Sequence, residues 1–251
     1  MQVSIVGSGR LGRSLHQIWR QAGVAVSLAG RDGSLEAADV VVICVPDRAI
    51  NDVVSRLPAG VIALHCSGSA PVDALRPHAP AGSLHPLMTF PGPERHLPDL
   101  HGVAAAVDGD DEAVAAAEVL ARAAGMRPMR VRGDRRLYHT AAVIAGNFMT
   151  TLLADAATVL QAVGVPPEES AETLLPLALA SLRNAAPDPR AALTGPVVRG
   201  DEPTIAGHRD ALRGAGLGDL LAEYDTLTER TRTLAKRSAK PYTSIKPRGD
   251  V

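Results

Sequence analysis

Large rings are almost missing from this chain: aromatic residues make up 2% of its 251 positions, although 46% are hydrophobic. The core therefore has to be assembled from Ala, Val, Leu and Ile, a composition that suits helices and parallel strands. Cysteine is scarce too. Cys44 and Cys66 have neither metal-ligand spacing nor a second pair with which to form a framework, which excludes a disulfide-stapled scaffold and a cysteine-built metal site. Lysine occurs only as Lys236, Lys240 and Lys246, so any lysine-dependent chemistry has to involve the C-terminal tail or a partner subunit. No basic block precedes residue 230 and the net charge is −1, which argues against an electrostatic grip on nucleic acid. There is no charged-then-apolar leader and no uninterrupted apolar run of roughly eighteen residues. The expectation is a cytoplasmic protein with a small-molecule partner, no membrane partner and no metal.

What is present is a series of short apolar runs, at 3–7, 24–30, 40–46, 61–67, 82–86 and 103–107. They are continuous rather than alternating, as strands covered on both faces are. Between the first two lies "RLGRSLHQIWRQAG", with Leu11, Leu15, Ile18 and Trp19 on one side and Gly23 as a stop. "DRAINDVVSRL" and "DDEAVAAAEVLARAAG" supply further helical crossovers, so residues 1–132 are predicted to form a doubly wound parallel sheet. From Asp134 the strand signals stop, and Ala/Leu periodicities run through 134–163, 168–186, 201–214 and 217–237. The fold class is therefore α/β: a doubly wound domain over 1–132, an all-α second domain over 133–237 and a flexible tail over 238–251.

"VSIVGSGRLGRSL" carries Gly7, Gly9 and Gly12 in the Gly-x-Gly-x-x-Gly spacing, directly after a strand and opening a helix. In that context the first glycine permits a tight turn, the second lets backbone approach a pyrophosphate and the third lets helix pack on strand. The loop Gly7, Ser8, Gly9, Arg10, Leu11 and Gly12 is thus the expected cofactor cradle, with the helix N-terminus facing the phosphates. At the end of the second strand, where an Asp or Glu would hold the ribose of NAD, this sequence offers Arg31. Either Arg31 grips a 2′-phosphate, making the cofactor NADP(H), or it is a solvated residue neutralised by Asp32. Val45 and Pro46 close the third strand where the nicotinamide ribose would lie, and Ser67 closes the fourth, as a ligand contact or as the cap of a turn.

His85, in "SLHPLMTFPGP", is predicted at another strand end facing the crevice, as a catalyst or as a structural hydrogen-bonder. On the helix to which "LYHTAAVIAGNF" belongs, ideal spacing aligns Thr140, Asn147 and Thr151 in a polar stripe flanked by His139. The remaining faces are apolar, so this helix is expected to be buried, with its polar groups satisfied by protein or by ligand.

Taken in order, "GSGRLG", "CVPDRAI", "SLHPLMTF", "YHTAAVIAGN" and "LTGPVVRGD" resemble the Rossmann-like oxidoreductase family with an appended C-terminal helical domain, within the 6-phosphogluconate dehydrogenase-like superfamily. The likeness covers nearly the whole chain apart from the tail. The chain is similar to ketopantoate reductases in Arg31 and in the helix opening the second domain, where their Lys-x3-Asn-x3-Asn pattern becomes His139, Val143 and Asn147. It is similar to prephenate dehydrogenases at His85, whose counterpart is catalytic. It is similar to pyrroline-5-carboxylate reductases in the loop bearing Thr194, which in them reaches the substrate. The resemblance implies an NADP-dependent reductase of a small 2-oxo acid, with ketopantoate as the leading substrate and pantothenate biosynthesis as its setting. His139, Asn147 and His85 would be catalytic, Thr140, Thr151 and Thr194 would bind substrate, and the helical domain would form a homodimer. An imidazolium at His139 or His85 would replace the missing lysine as proton donor, and Asn147 would hydrogen-bond the reacting oxygen. The rivals are reduction of an imine, a deazaflavin or a prephenate-like substrate, and a non-catalytic NADP-binding sensor.

Overall fold

The structure, a computed structural model, describes residues 1–30 and 38–236. Arg31 and the tail assigned to 238–251 lie outside the described residues. By internal contacts the chain forms two units, Met1–Gly146 and Asn147–Val251.

The first unit is built on seven strands among the described residues: β1 (Gln2–Val6), β2 (Ala25–Ala29), β3 (Val40–Ile43), β4 (Ile62–His65), β5 (Ala81–Pro86), β6 (Ala104–Gly109) and β7 (Arg127–Arg130). Their order is β2-β1-β3-β4-β5-β6-β7, so the chain winds one way from β1 to β2 and then crosses back to β3. That reversal places a topological switch point between β1 and β3, the place where crevices form in open α/β sheets. The helices α1 (Arg10–Gln21), α2 (Ile50–Val54) and α3 (Asp111–Ala123) cover the two faces. Val3, Ile5, Val42, Leu64, Leu84 and Val107 pack on Leu15, Trp19 and Leu120, while Ile43, Ala63 and Ala81 pack on Ile50, Val53 and Leu75. The single tryptophan ties two helices together, its indole N–H donating to Leu120 O at 2.9 Å.

The sheet is mostly parallel, as the apolar runs predict, and departs from that expectation in detail. It is not wholly parallel: β5 and β6 run antiparallel, with Ser83 opposite Asp108 and His85 opposite Ala106. The residues joining them form no crossover helix, so the chain returns along its neighbour and β6 and β7 point against the rest. In addition β7, "RPMR", has no apolar run and was not expected. As an edge strand it tolerates Pro128, which has no amide to donate. The crossover expected over residues 47–57 is shorter, a 3-10 turn at Asp47–Ala49 followed by α2.

α4 (Arg135–Val143) closes the first unit, capped by Asp134, whose carboxylate accepts from Arg136 N. It runs through a π-helical turn at Ile144–Phe148 into α5 (Met149–Gln161). The second unit continues with α6 (Pro167–Ala185), α7 (Pro196–Arg199), α8 (Glu202–Gly214) and α9 (Leu221–Lys236). α8 and α9 are clamped antiparallel by Glu202 to Arg232 at 2.6 Å, Arg209 to Asp225 at 2.6 Å and His208 to Tyr224 at 2.7 Å.

The expectation that the "LYHTAAVIAGNF" helix is buried is overturned. The helix Arg135–Gln161 is long and apolar enough to cross a membrane by length and composition, yet only 6% of its most apolar window is buried. Leu137 is 72% exposed, and Ile144 and Phe148 are exposed as well. Short polar interruptions hid the length of this apolar stretch from a search for unbroken runs.

Candidate functional site

The loop between β1 and α1 shows three different reasons for glycine. Gly7 has φ +115°, and a Cβ there would stand 2.5 Å from Cys44 O, so both the turn and the neighbouring strand demand glycine. At Gly12 a Cβ would fall on Gly7 O and crowd the Cys44 side chain, so helix and strand meet there with no room for a methyl. Gly9 has neither constraint. It faces open space, and with Ser8 and Arg10 it is exposed at the switch point. The loop has the form of a cradle: a bare backbone edge leading into a 12-residue helix whose first amides have no intrahelical acceptor. Leu11 turns into the core, leaving only its amide to face a ligand. Val45 packs against the core beside Gly7, and Pro46 is exposed at the same edge.

Cys44 and Cys66 follow β3 and β4 directly and lie side by side, with their sulfurs 3.6 Å apart and both thiols free. Strand register brings together what their separation in sequence conceals. The neighbouring thiol, followed by burial, pushes the Cys44 thiol well above the ordinary range, which makes it a poor nucleophile.

Ser67 is committed elsewhere. Its hydroxyl donates to Asp47 Oδ2 at 2.9 Å and accepts from Ala70 N at 2.9 Å and Ser69 N at 3.2 Å, so it shapes the turn after β4. Its carbonyl accepts from Arg135 Nη2 at 2.9 Å.

Beyond this turn a compact polar cluster forms. His65, Ser83 and Asp108 lie opposite one another on β4, β5 and β6 and so share a sheet face, with His85 two residues further along β5. Arg135, Tyr138 and His139 stand at i, i+3 and i+4 on α4 and share a helix face. The two faces meet at His85. Its Nδ1 lies 2.8 Å from the Tyr138 hydroxyl, and its ring stands edge-on to Tyr138 at 5.5 Å and to His139 at 6.3 Å. Gly68 fits between the histidines, where a Cβ would come within 2.6 Å of His139 and 2.9 Å of His85 Nε2.

Charge in this cluster is unusual. Arg135 is 6% exposed, and its Nε and Nη1 have no hydrogen-bond partner among the described residues. Burial, and then the Arg135, His139 and His65 charges, bring the His85 pKa down to about 4, with Asp47 opposing. Burial and then Arg135 lower fully buried His65 to about 4 as well. Burial raises the Tyr138 phenol while Arg135 pulls it back. At neutral pH the cluster is therefore a buried cation beside neutral imidazole and neutral phenol.

The structure thus brings His85 and His139 together within one unit, and it adds Tyr138 and Arg135, which sequence reasoning missed. The i, i+3, i+4 spacing of these residues at the start of the helix is the sequence signal that finds them. That stripe does not hold. Thr140 donates to Arg136 O at 2.8 Å and Thr151 to Asn147 O at 3.3 Å, and both threonines and Asn147 are exposed. The π-turn widens the helix between Thr140 and Thr151, so ideal α spacing no longer describes their alignment. Asn147, Thr151 and Thr194 belong to the second unit, and Thr194 is exposed just before α7.

Residues 103–231, just over half of the chain, match the family described as Domain of unknown function (DUF2520). The chain belongs to this family. No curated protein is a sequence match to this DUF2520 member. Among solved structures it is similar to a Bacteroides fragilis protein provisionally assigned as an NADP oxidoreductase, with TM-score 0.77, 22% identity and coverage of 92% of this chain and 98% of that one. It is also similar to an Aspergillus terreus imine reductase in complex with NADPH4 and a dibenzazepine, with TM-score 0.62, 16% identity and coverage of 91% and 92%. A Plasmodium falciparum pyrroline carboxylate reductase with NADP bound gives TM-score 0.55 at 9% identity, covering 94% and 98%. At these identities the likeness establishes the fold: an α/β Rossmann domain followed by a helical region.

Proposed function

We propose that this DUF2520 member is an NADP(H)-dependent reductase acting on a C=O or C=N bond of a small polar molecule. The observation that carries the reading is the cradle at the switch point, where Gly7 and Gly12 are sterically required while Gly9 faces open space at a helix N-terminus. In this reading the amides of Ser8 to Gly12 hold the pyrophosphate, Arg31 takes the 2′-phosphate, and Val45 and Pro46 flank the nicotinamide ribose. When bound, the cofactor supplies a hydride. His85 and His139 handle the accompanying proton.

The three fold relatives named above carry NADP or NADPH4 in their names, which supports the choice of cofactor. They do not favour one substrate, so ketopantoate shares the substrate panel with cyclic imines. The test is fluorescence titration of NADPH and NADH into the protein and into Arg31→Ala. NADPH is expected to bind about tenfold or more tighter than NADH, a preference that disappears in the variant. Equal loss for both nucleotides removes the phosphate role from Arg31, and absence of nucleotide binding removes the reading.

We also propose that a second copy of the chain covers the exposed apolar helices of the second unit. Exposed Phe148 at the end of the π-turn, Val159 on α5 and Leu175, Leu177, Leu179 and Leu182 on α6 support this.

A further inference from the structure

The assignment of proton delivery to an imidazolium does not fit a His85 held neutral, and it leaves two observations unused. The first is the Tyr138 hydroxyl, which meets His85 Nδ1 at 2.8 Å and has no other hydrogen-bond partner among the described residues. The second is a buried arginine with two nitrogens unbonded among the described residues, on the same helix face as that tyrosine. The geometry points to a relay in which Tyr138 feeds a proton to His85, His85 delivers its own to the substrate, and Arg135 holds the charge left behind.

The direction follows from the groups. A phenol is the better acid and an imidazole nitrogen the better base, so the hydroxyl donates and Nδ1 accepts. A neutral ring that accepts at Nδ1 carries its hydrogen on Nε2. Nε2 is the nitrogen packed beside Gly68, where only glycine fits because a Cβ would come within 2.9 Å of it, and the ring as a whole is half-buried rather than sealed. Placed on β5 near its C-terminal end, this N–H lies at the edge of the sheet where ligands of such folds bind.

The step balances as follows. As hydride reaches the carbon of a C=O or C=N bond, the oxygen or nitrogen gains an electron pair and takes the proton from His85 Nε2. The Nε2–H bond breaks as the Nδ1–H bond forms, and the proton for Nδ1 comes from the Tyr138 hydroxyl. The ring is neutral before and after. The negative charge ends on the Tyr138 oxygen, within reach of the Arg135 field that already favours the phenolate. A solvent proton taken up at Nε2, with the Nδ1 proton returning to the Tyr138 oxygen, then restores both groups. The groups acting on His85 from the surrounding elements are Arg135 and His139 on α4, His65 on β4 and Asp47 after β3. Arg135 has a positive role here: without it the relay would leave an uncompensated charge in a buried site.

This relay rests on the reductase reading, and its test keeps the two apart. Nitrogen-15 NMR of the free protein reports the tautomer of His85 with no cofactor or substrate. The expected result is the Nε2–H form at neutral pH in the wild type, and a shift away from it in Tyr138→Phe. An Nδ1–H tautomer in the wild type, or one unchanged in Tyr138→Phe, overturns the relay. In NADPH consumption with ketopantoate or 1-pyrroline, Tyr138→Phe is expected to lower kcat by about a hundredfold with KM within about threefold. An unchanged kcat overturns the relay as well. Failure of every substrate counts against the reductase reading, while the tautomer still decides the relay. Arg135→Gln is expected to raise the His85 midpoint from about 4 toward the ordinary imidazole value with the Tm kept, and an unchanged midpoint removes Arg135 from the relay.

Discussion

His65 and His85 set the behaviour of this protein in acid. Both are held near pKa 4 when folded, chiefly by burial and then by Arg135, whereas an unfolded histidine titrates near 6.5. The unfolded chain thus binds more protons between those values. Stability contributed by the neutral rings is complete above about pH 6.5 and is lost as pH falls toward 4. For fully buried His65 the span corresponds to roughly 3 kcal/mol. Thermal melts are expected to show a falling Tm from about pH 6.5 downward, with a smaller fall in His65→Leu. An acid limb unaltered in that variant contradicts the assignment. The glycines give a second contrast at this scale. Gly9→Ala meets open space, so it is expected to keep its Tm while weakening NADPH binding about tenfold or more. Gly12→Ala places a methyl on Gly7 O and is expected to lose several degrees of Tm before any ligand is added. The glycine loop was legible in the sequence because its logic is local: strand, spacing and helix start are contiguous. Arg135 was not, because its burial and missing partners are set by β4 and β5, which lie far away in sequence.

At the level of elements, most strands were readable as continuous apolar runs, since a strand covered on both faces needs no polar side. What those runs do not encode is direction. The antiparallel pairing of β5 with β6 depends on how the intervening chain returns, and β7 joins the edge with arginines at both ends. The helix from Arg135 to Gln161 is the instructive failure. Its composition predicts burial, yet its apolar surface is largely exposed, and its polar stripe would require a regular helix, which the π-turn interrupts. Asn147 sits within that turn and is exposed, so Asn147→Ala is expected to keep its Tm within about 2 °C. If Asn147 steadies the charge developing on the substrate, the same variant loses about a hundredfold in kcat. A large drop in Tm with unchanged turnover per folded molecule would make Asn147 a structural residue of the π-turn instead.

For the whole molecule, the second unit leaves Leu175, Leu177, Leu179, Leu182, Val159 and Val163 exposed, and its α5–α9 side carries an apolar groove of about 580 Å³ lined by residues such as Leu152, Leu174, Leu212 and Leu217. A water-exposed surface of this kind calls for a cover. Light scattering is expected to give twice the 26.1 kDa chain mass, falling to the single mass in Leu177→Asp. A monomeric wild type that instead binds lipid vesicles would assign the apolar helix to a membrane. The central claim is the reductase reading, and steady consumption of NADPH tests it most directly. The wild-type protein, supplied with NADPH and a panel of 2-oxo acids and cyclic imines, is expected to oxidise the cofactor with at least one of them, and His85→Ala is expected to abolish that turnover. Tight NADPH binding without turnover on any member of the panel would contradict the claim and leave a nucleotide-binding sensor in its place.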